Sequence, residues 1–191
     1  GTFKAVIEEL DKEFRFKGRS WVDFPFEERN TGFEGLSAVR WRGHDYLLAL
    51  CEGNRCRAGK KGRRPGGGRI QVLERRGKVW RPVATIKLPR SVKFEDYSAL
   101  AIRGERIAVA SQQTSRLWLG KLRRRDWTIE GAGRQYDFPR TKKGKLLYST
   151  VEGISWLSDE TFVAVSDLAK EGHPERCSPK DQSIHIFRLP R

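Results

Sequence analysis

The sequence predicts an all-β fold, a β-propeller of four-stranded blades with about three blades in this chain and the ring completed by a second chain or copy. Three observations predict it. Short β-branched and aromatic runs recur throughout the chain, each bounded by Gly, Pro or charged residues. A seven-residue pattern, apolar-Glu-(Gly/Asp)-apolar-Ser-x-apolar, occurs three times, with its Glu at positions 34, 95 and 152. No apolar stripe of 3.6-residue period runs for a helical length.

The elements follow in order. Phe3–Phe16 and Ser20–Pro25 read as leading outer strands within 1–31, although Lys4–Arg15 is also the best helix candidate. Repeat 1 (32–90) opens with FEGLSAV at 33–39, continues with YLLALC at 46–51 and RIQVL at 69–73, and ends in Trp80…Leu88-Pro89. Repeat 2 (91–148) has FEDYSAL at 94–100, RIAVAS at 106–111, SRLWL at 115–119 and Trp127…Phe138-Pro139. Repeat 3 (149–191) has VEGISWL at 151–157, TFVAVS at 161–166 and SIHIF at 183–187, and stops without a fourth member. The first two members of each set are apolar on both sides, as inner strands are; the other two alternate and carry charge. Four strands per unit of about 60 residues is the period of a propeller blade. A β-sandwich would also space short strands regularly, but leaves the three aligned Glu-x-x-Ser copies without a reason.

The chain has 191 residues, 37% hydrophobic and 33% charged, enough apolar material for a packed core. No apolar run is long enough for a membrane-spanning helix. With no Met, the chain reads as a processed form, a trimmed form or a fragment. Three blades do not close a ring. Completion by a homodimer, three blades plus three, is therefore expected, or by a missing complementary half. In the dimer the leading strands complete the partner's last blade.

Val151-Glu152-Gly153-Ile154-Ser155-Trp156 and Phe162-Val163-Ala164-Val165-Ser166-Asp167 resemble the phytase-like esterase family of β-propellers, and more distantly the gluconolactonase and paraoxonase group. The resemblance implies a six-bladed ring with an axial site, often holding Ca²⁺. The sequence departs from the lactonase pattern at Glu95-Asp96, where Glu-Gly is the rule.

In a propeller the first strand of each blade begins at one rim of the channel, so Glu34, Glu95 and Glu152 converge there with Asp167. Such an oxygen-only set suits Ca²⁺ or Mg²⁺. The competing reading is that each repeated Glu caps backbone N–H groups. Glu52, Asn54, Gln112, Arg55 and Arg57 are candidate ligand-binding residues on the same face. His173, in a Gly-His-Pro loop, is the one candidate acid/base. Ser37, Ser98 and Ser155 read as hydrogen-bonders within a blade, since a nucleophile is needed once and no Gly-x-Ser-x-Gly elbow occurs. Cys56 and Cys177 fall in corresponding loops, which suggests a disulfide between copies.

The net charge of +15 is local. Residues 55–81 hold 11 Lys/Arg and one acid; residues 116–145 hold 10 Lys/Arg and three acids. Arg55–Arg69 reads as a solvated Gly-rich loop or as a trap for an anionic small molecule; nucleic acid is a less favoured partner, because interleaved aromatics are missing. Two functions follow. One is a metal-dependent hydrolase of esters, lactones or phosphoesters at the channel mouth. The other is a non-catalytic propeller binding an acidic partner or ligand. The cysteines and the missing Met lean towards an exported or periplasmic protein.

Overall fold

The computed structural model describes residues 3–28, 31–169 and 174–190. They form an all-β fold of 13 strands in three sheets. The strands are β1 (Phe3–Leu10), β2 (Phe16–Phe26), β3 (Phe33–Trp41), β4 (His44–Cys51), β5 (Arg69–Arg76), β6 (Val79–Lys87), β7 (Ala99–Arg103), β8 (Arg106–Ser111), β9 (Arg116–Arg123), β10 (Thr128–Asp137), β11 (Val151–Trp156), β12 (Thr161–Ser166) and β13 (Ile184–Arg188). A four-residue helix, α1 (Gly59–Gly62), and 3-10 turns at Asn54–Cys56 and Glu175–Lys180 lie in the longer loops.

Each repeat folds as an antiparallel meander: β3-β4-β5-β6, then β7-β8-β9-β10, then β11-β12-β13. Local chemistry sets the turns. Trp41 pairs with His44 across Arg42-Gly43, both at positive φ (50° and 81°), the geometry of a two-residue hairpin whose twist matches its strands. Pro82 sits in β6 at a register shift opposite Leu73, where a strand tolerates a residue without an N–H.

The sheets stack face on face. Leu48, Leu50, Ile70, Val72 and Ile86 of the first sheet bury against Leu100, Ile107, Val109 and Trp118 of the second. The opposite face of the second sheet, built from Ala99, Ala101, Ala108, Ala110 and Leu117, receives Val151, Phe162 and Ala164 of the third. The small Ala residues let these two sheets approach closely. The first strands β3, β7 and β11 lie side by side through the stack. A Cβ on Gly35 would lie 2.7 Å from both Cβ and N of Leu100, so only Gly permits that crossing.

Lys4–Arg15 is a strand and a turn, not a helix. The leading hairpin β1–β2 lies on its own chain: β2 pairs in parallel with β6 through Trp21–Val79 and Val22–Trp80, and the first sheet curls into a half-barrel. Val22, Ala5, Ile7 and Phe24 thereby cover Ala49 and Leu73. The third sheet has three strands among the described residues. Val165 (43% exposed), Ile184 (75%) and Ile186 (67%) leave its outer face open. No helix among the described residues is long and apolar enough to cross a membrane.

Candidate functional site

The two ends of the stack differ. At the end where the first strands begin, the loops between sheets enclose two adjoining clefts that share Glu95 and Gln113. The smaller, about 210 Å³, lies between the first and second repeats and is lined by Glu28, Glu52, Arg57, Arg63 and Asp96. The larger, about 460 Å³, lies between the second and third repeats. Its polar lining is Glu95, Gln112, Gln113, Ser149, Thr150 and Glu152; Leu146, Leu168 and Pro174 supply an apolar wall.

Local structure explains how the residues reach this rim. Glu34 and Glu152 each occupy an irregularity at the start of a first strand: register shifts fall between Phe33 and Gly35 and between Val151 and Gly153. A bulge of this kind re-aims the extra residue, and both Glu side chains are exposed. The second copy is out of step. Gly35 pairs with Leu50 and Gly153 with Val165, but the residue opposite Ala110 is Ala99, three positions beyond the aligned Asp96. Phe94–Ser98 is therefore a loop, and it brings Glu95 and Asp96 between the clefts.

Of the expected site residues, Glu52, Glu95, Gln112, Glu152 and Arg57 line the clefts. Glu34 and Asp167 do not; the Asp167 carboxylate accepts from the following N–H, of Leu168. Arg55 is exposed at φ 59°. His173 lies outside the described residues. Among the described residues no three His, Cys, Asp or Glu side chains form a group that could hold a metal ion. Among the described residues Glu34, Glu95, Glu152 and Asp167 do not come together as one such group.

Asn54 is not a ligand amide but a buried fastener, 1% exposed. Its Nδ2 donates to the carbonyls of Gly62 (3.0 Å), Phe94 (2.9 Å) and Glu95 (3.3 Å). Its Oδ1 accepts from Gly67 N–H (2.8 Å) and Tyr97 O–H (2.7 Å). One side chain so joins the first-repeat loop to the rim loop of the second. Burial pushes the Tyr97 phenol above its ordinary pKa, so it stays a donor.

Asp96 stood out in the sequence only as a departure from Glu-Gly, not as a site residue. Its Oδ1 accepts from Ser111 Oγ (2.5 Å) and from Gln113 N–H (3.3 Å). Burial raises its pKa; the Ser111 hydrogen bond opposes that shift without cancelling it. Its one sequence signal is that it stands where the other two copies have Gly. Gln113, Ser149 and Thr150 gave none.

Two further expectations change. Ser37 and Ser98 bond between repeats, not within one: Ser37 Oγ donates to the Leu100 carbonyl (3.5 Å) and Ser98 Oγ to that of Val151 (2.8 Å). Cys56 pairs with Cys51 of its own loop, and Cys177 is buried and free, so no disulfide links Cys56 to Cys177 of another copy. No protein-family model matches the chain, and no curated protein is significantly similar to it.

Proposed function

We propose that the chain is part of a β-propeller scaffold that binds a small, hydroxyl- or amine-bearing organic ligand at the rim where its first strands begin. The observation that carries the reading is the lining of the larger cleft. Glu95, Glu152, Gln112, Gln113, Ser149 and Thr150 line it beside an apolar wall, with the Thr150 hydroxyl donating to Asp181 (3.3 Å), and among the described residues no Lys, Arg or His lines it. In a chain of net charge +15, an acid-lined cleft selects for donors and against anions. The anionic substrate suggested by composition therefore fits this cleft poorly. Binding is preferred to metal-dependent hydrolysis because the described residues gather no group of three metal donors.

The propeller reading is supported by the meanders, by the adjacent first strands and by the open third sheet. Twice in this chain the face carrying the pairs Gly35–Leu50 or Ala99–Ala110 is covered by the next sheet. The equivalent face of the third sheet, with Gly153, Val165 and exposed Ser155, is left uncovered by the described residues. A second copy of the chain covers it in this reading. Sedimentation equilibrium then gives a dimer; a monomer at tens of micromolar overturns the second-copy reading.

The ligand reading is tested by NMR titration with glucosamine, myo-inositol and inositol hexakisphosphate. Saturable shifts around Gln112, Thr150 and Glu152 are expected with the first two, weakened by Glu152→Gln. Preferential binding of the hexakisphosphate in that cleft, or no shifts there with either of the others, overturns it.

A further inference from the structure

The basic loop between β4 and β5 is a built surface. Six cations, Arg55, Arg57, Lys60, Lys61, Arg63 and Arg64, fall within ten residues, and all are exposed. Beneath them the loop is anchored. Asn54 ties it to Gly62, Gly67 and the Phe94–Tyr97 loop, and the Cys51–Cys56 disulfide closes its first turn. A Cβ on Gly62 would lie 2.0 Å from the Arg57 carbonyl, so the chain is packed on itself there.

The six cations make no ion pair among the described residues, although seventeen other ion pairs are formed. Lys93 adds another: its Nζ lies 3.4 Å from where a Cβ on Gly66 would be. Arg69, at the foot of the loop, has a lowered pKa, first from burial and then from repulsion by Arg55. A solvated loop would relieve such repulsion by moving apart. Here the anchors fix the backbone that carries these like charges, so an external polyanion meets them without first ordering the loop.

We propose that this loop is a preorganised binding surface for a linear anionic polysaccharide. Two features favour a polysaccharide over a nucleic acid. The loop has no aromatic side chain on which a base could stack, and neither a long helix nor a strand pair projects from it to enter a groove. The disulfide at its base is of a kind that persists in oxidising compartments and is rare in the cytosol and nucleus, where nucleic acid is held. The surface is separate from the acid-lined cleft between the second and third repeats, so neither reading depends on the other.

The test uses the full chain and heparin as probe, titrated between 50 and 200 mM salt, beside duplex DNA of matched charge. If the six loop cations each release about one counterion, affinity falls about 10³-fold over that range. The variant Lys60→Gln/Lys61→Gln/Arg63→Gln/Arg64→Gln leaves about two contacts, and the fall shrinks to about tenfold. The same number of neutralisations at Lys142, Lys143, Lys145 and Arg125 leaves the salt dependence unchanged. Far-ultraviolet circular dichroism confirms that both variants fold. Equal losses from the two quadruple variants, tighter binding of DNA than of heparin, or no heparin binding at 50 mM salt would each overturn the proposal.

Discussion

Replacing Asn54 by alanine removes five hydrogen bonds at once and separates two loops that hold the rim together. The cost follows from what is left behind. Gly67 N–H and Tyr97 O–H are buried donors that lose their acceptor, and the Phe94 carbonyl loses a donor inside the core. An orphaned buried polar group costs about 1–3 kcal/mol, so the two donors alone imply about 2–6 kcal/mol. Water entering the vacated volume lowers this towards about 3 kcal/mol. For a chain of this size that is a fall of about 6–12 °C in Tm. Urea denaturation of the oxidised protein measures it, with Tyr97→Phe, which removes a single hydroxyl, expected to cost about 1 kcal/mol. An Asn54→Ala protein within 1 kcal/mol of the parent would refute the hub, because the loops would then be held by something other than this amide.

Other consequences follow from the same geometry. The disulfide closes a loop of about six residues, for which chain entropy gives about 2 kcal/mol; Cys51→Ser/Cys56→Ser should lower the urea midpoint accordingly. Ser98→Ala should cost about 1 kcal/mol and speed hydrogen exchange at the junction of the second and third sheets, where the Val151 carbonyl loses its donor. Asp96 titrates in the opposite sense to Asp11, Asp126 and Asp137, whose pKa values are lowered. Folding raises its pKa, so ionisation weakens the fold as pH rises from the ordinary carboxylate value through the raised one, and acidification relieves the penalty. Asp96→Asn should therefore be neutral or stabilising at pH 7 and flatten the pH profile of stability in the mildly acidic range. Asp137 has its pKa lowered, chiefly by the Arg116 hydrogen bond, so its contribution is present at neutral pH and is lost as pH falls through the lowered value. Because the pair is solvent-exposed, Arg116→Ala should cost under about 1 kcal/mol at pH 7.

The strands were legible in the sequence, and the reason is local. Turn residues such as Arg42-Gly43 and Gly77-Lys78 punctuate runs whose alternation needs no tertiary knowledge. The three strands β11, β12 and β13 were legible in the same way. Register was not. Phe94–Leu100 matches its two counterparts residue for residue, yet pairs three positions out of step, because Asp96 bridges to Gly53 and Tyr97 turns into Asn54. Those contacts span more than forty residues, and no short motif encodes them. The same distance hid the role of Asn54: an amide beside a basic loop reads as a ligand group until its partners are seen. The first strands do begin with register shifts at Glu34 and Glu152, but these two Glu residues part company: Glu152 shares the larger cleft with Glu95, and Glu34 does not line it. Position of the backbone followed from pattern; convergence of side chains depended on twist and stacking, which pattern does not carry.

The most direct measurement is a crystal of the full chain soaked with glucosamine. Density is expected in the larger cleft, with the amine near the Glu95 or Glu152 carboxylate and the ring against Leu146 or Leu168. A fully occupied site elsewhere, or that cleft filled by an anion in preference to the amine, would contradict the assignment of this rim as the ligand site.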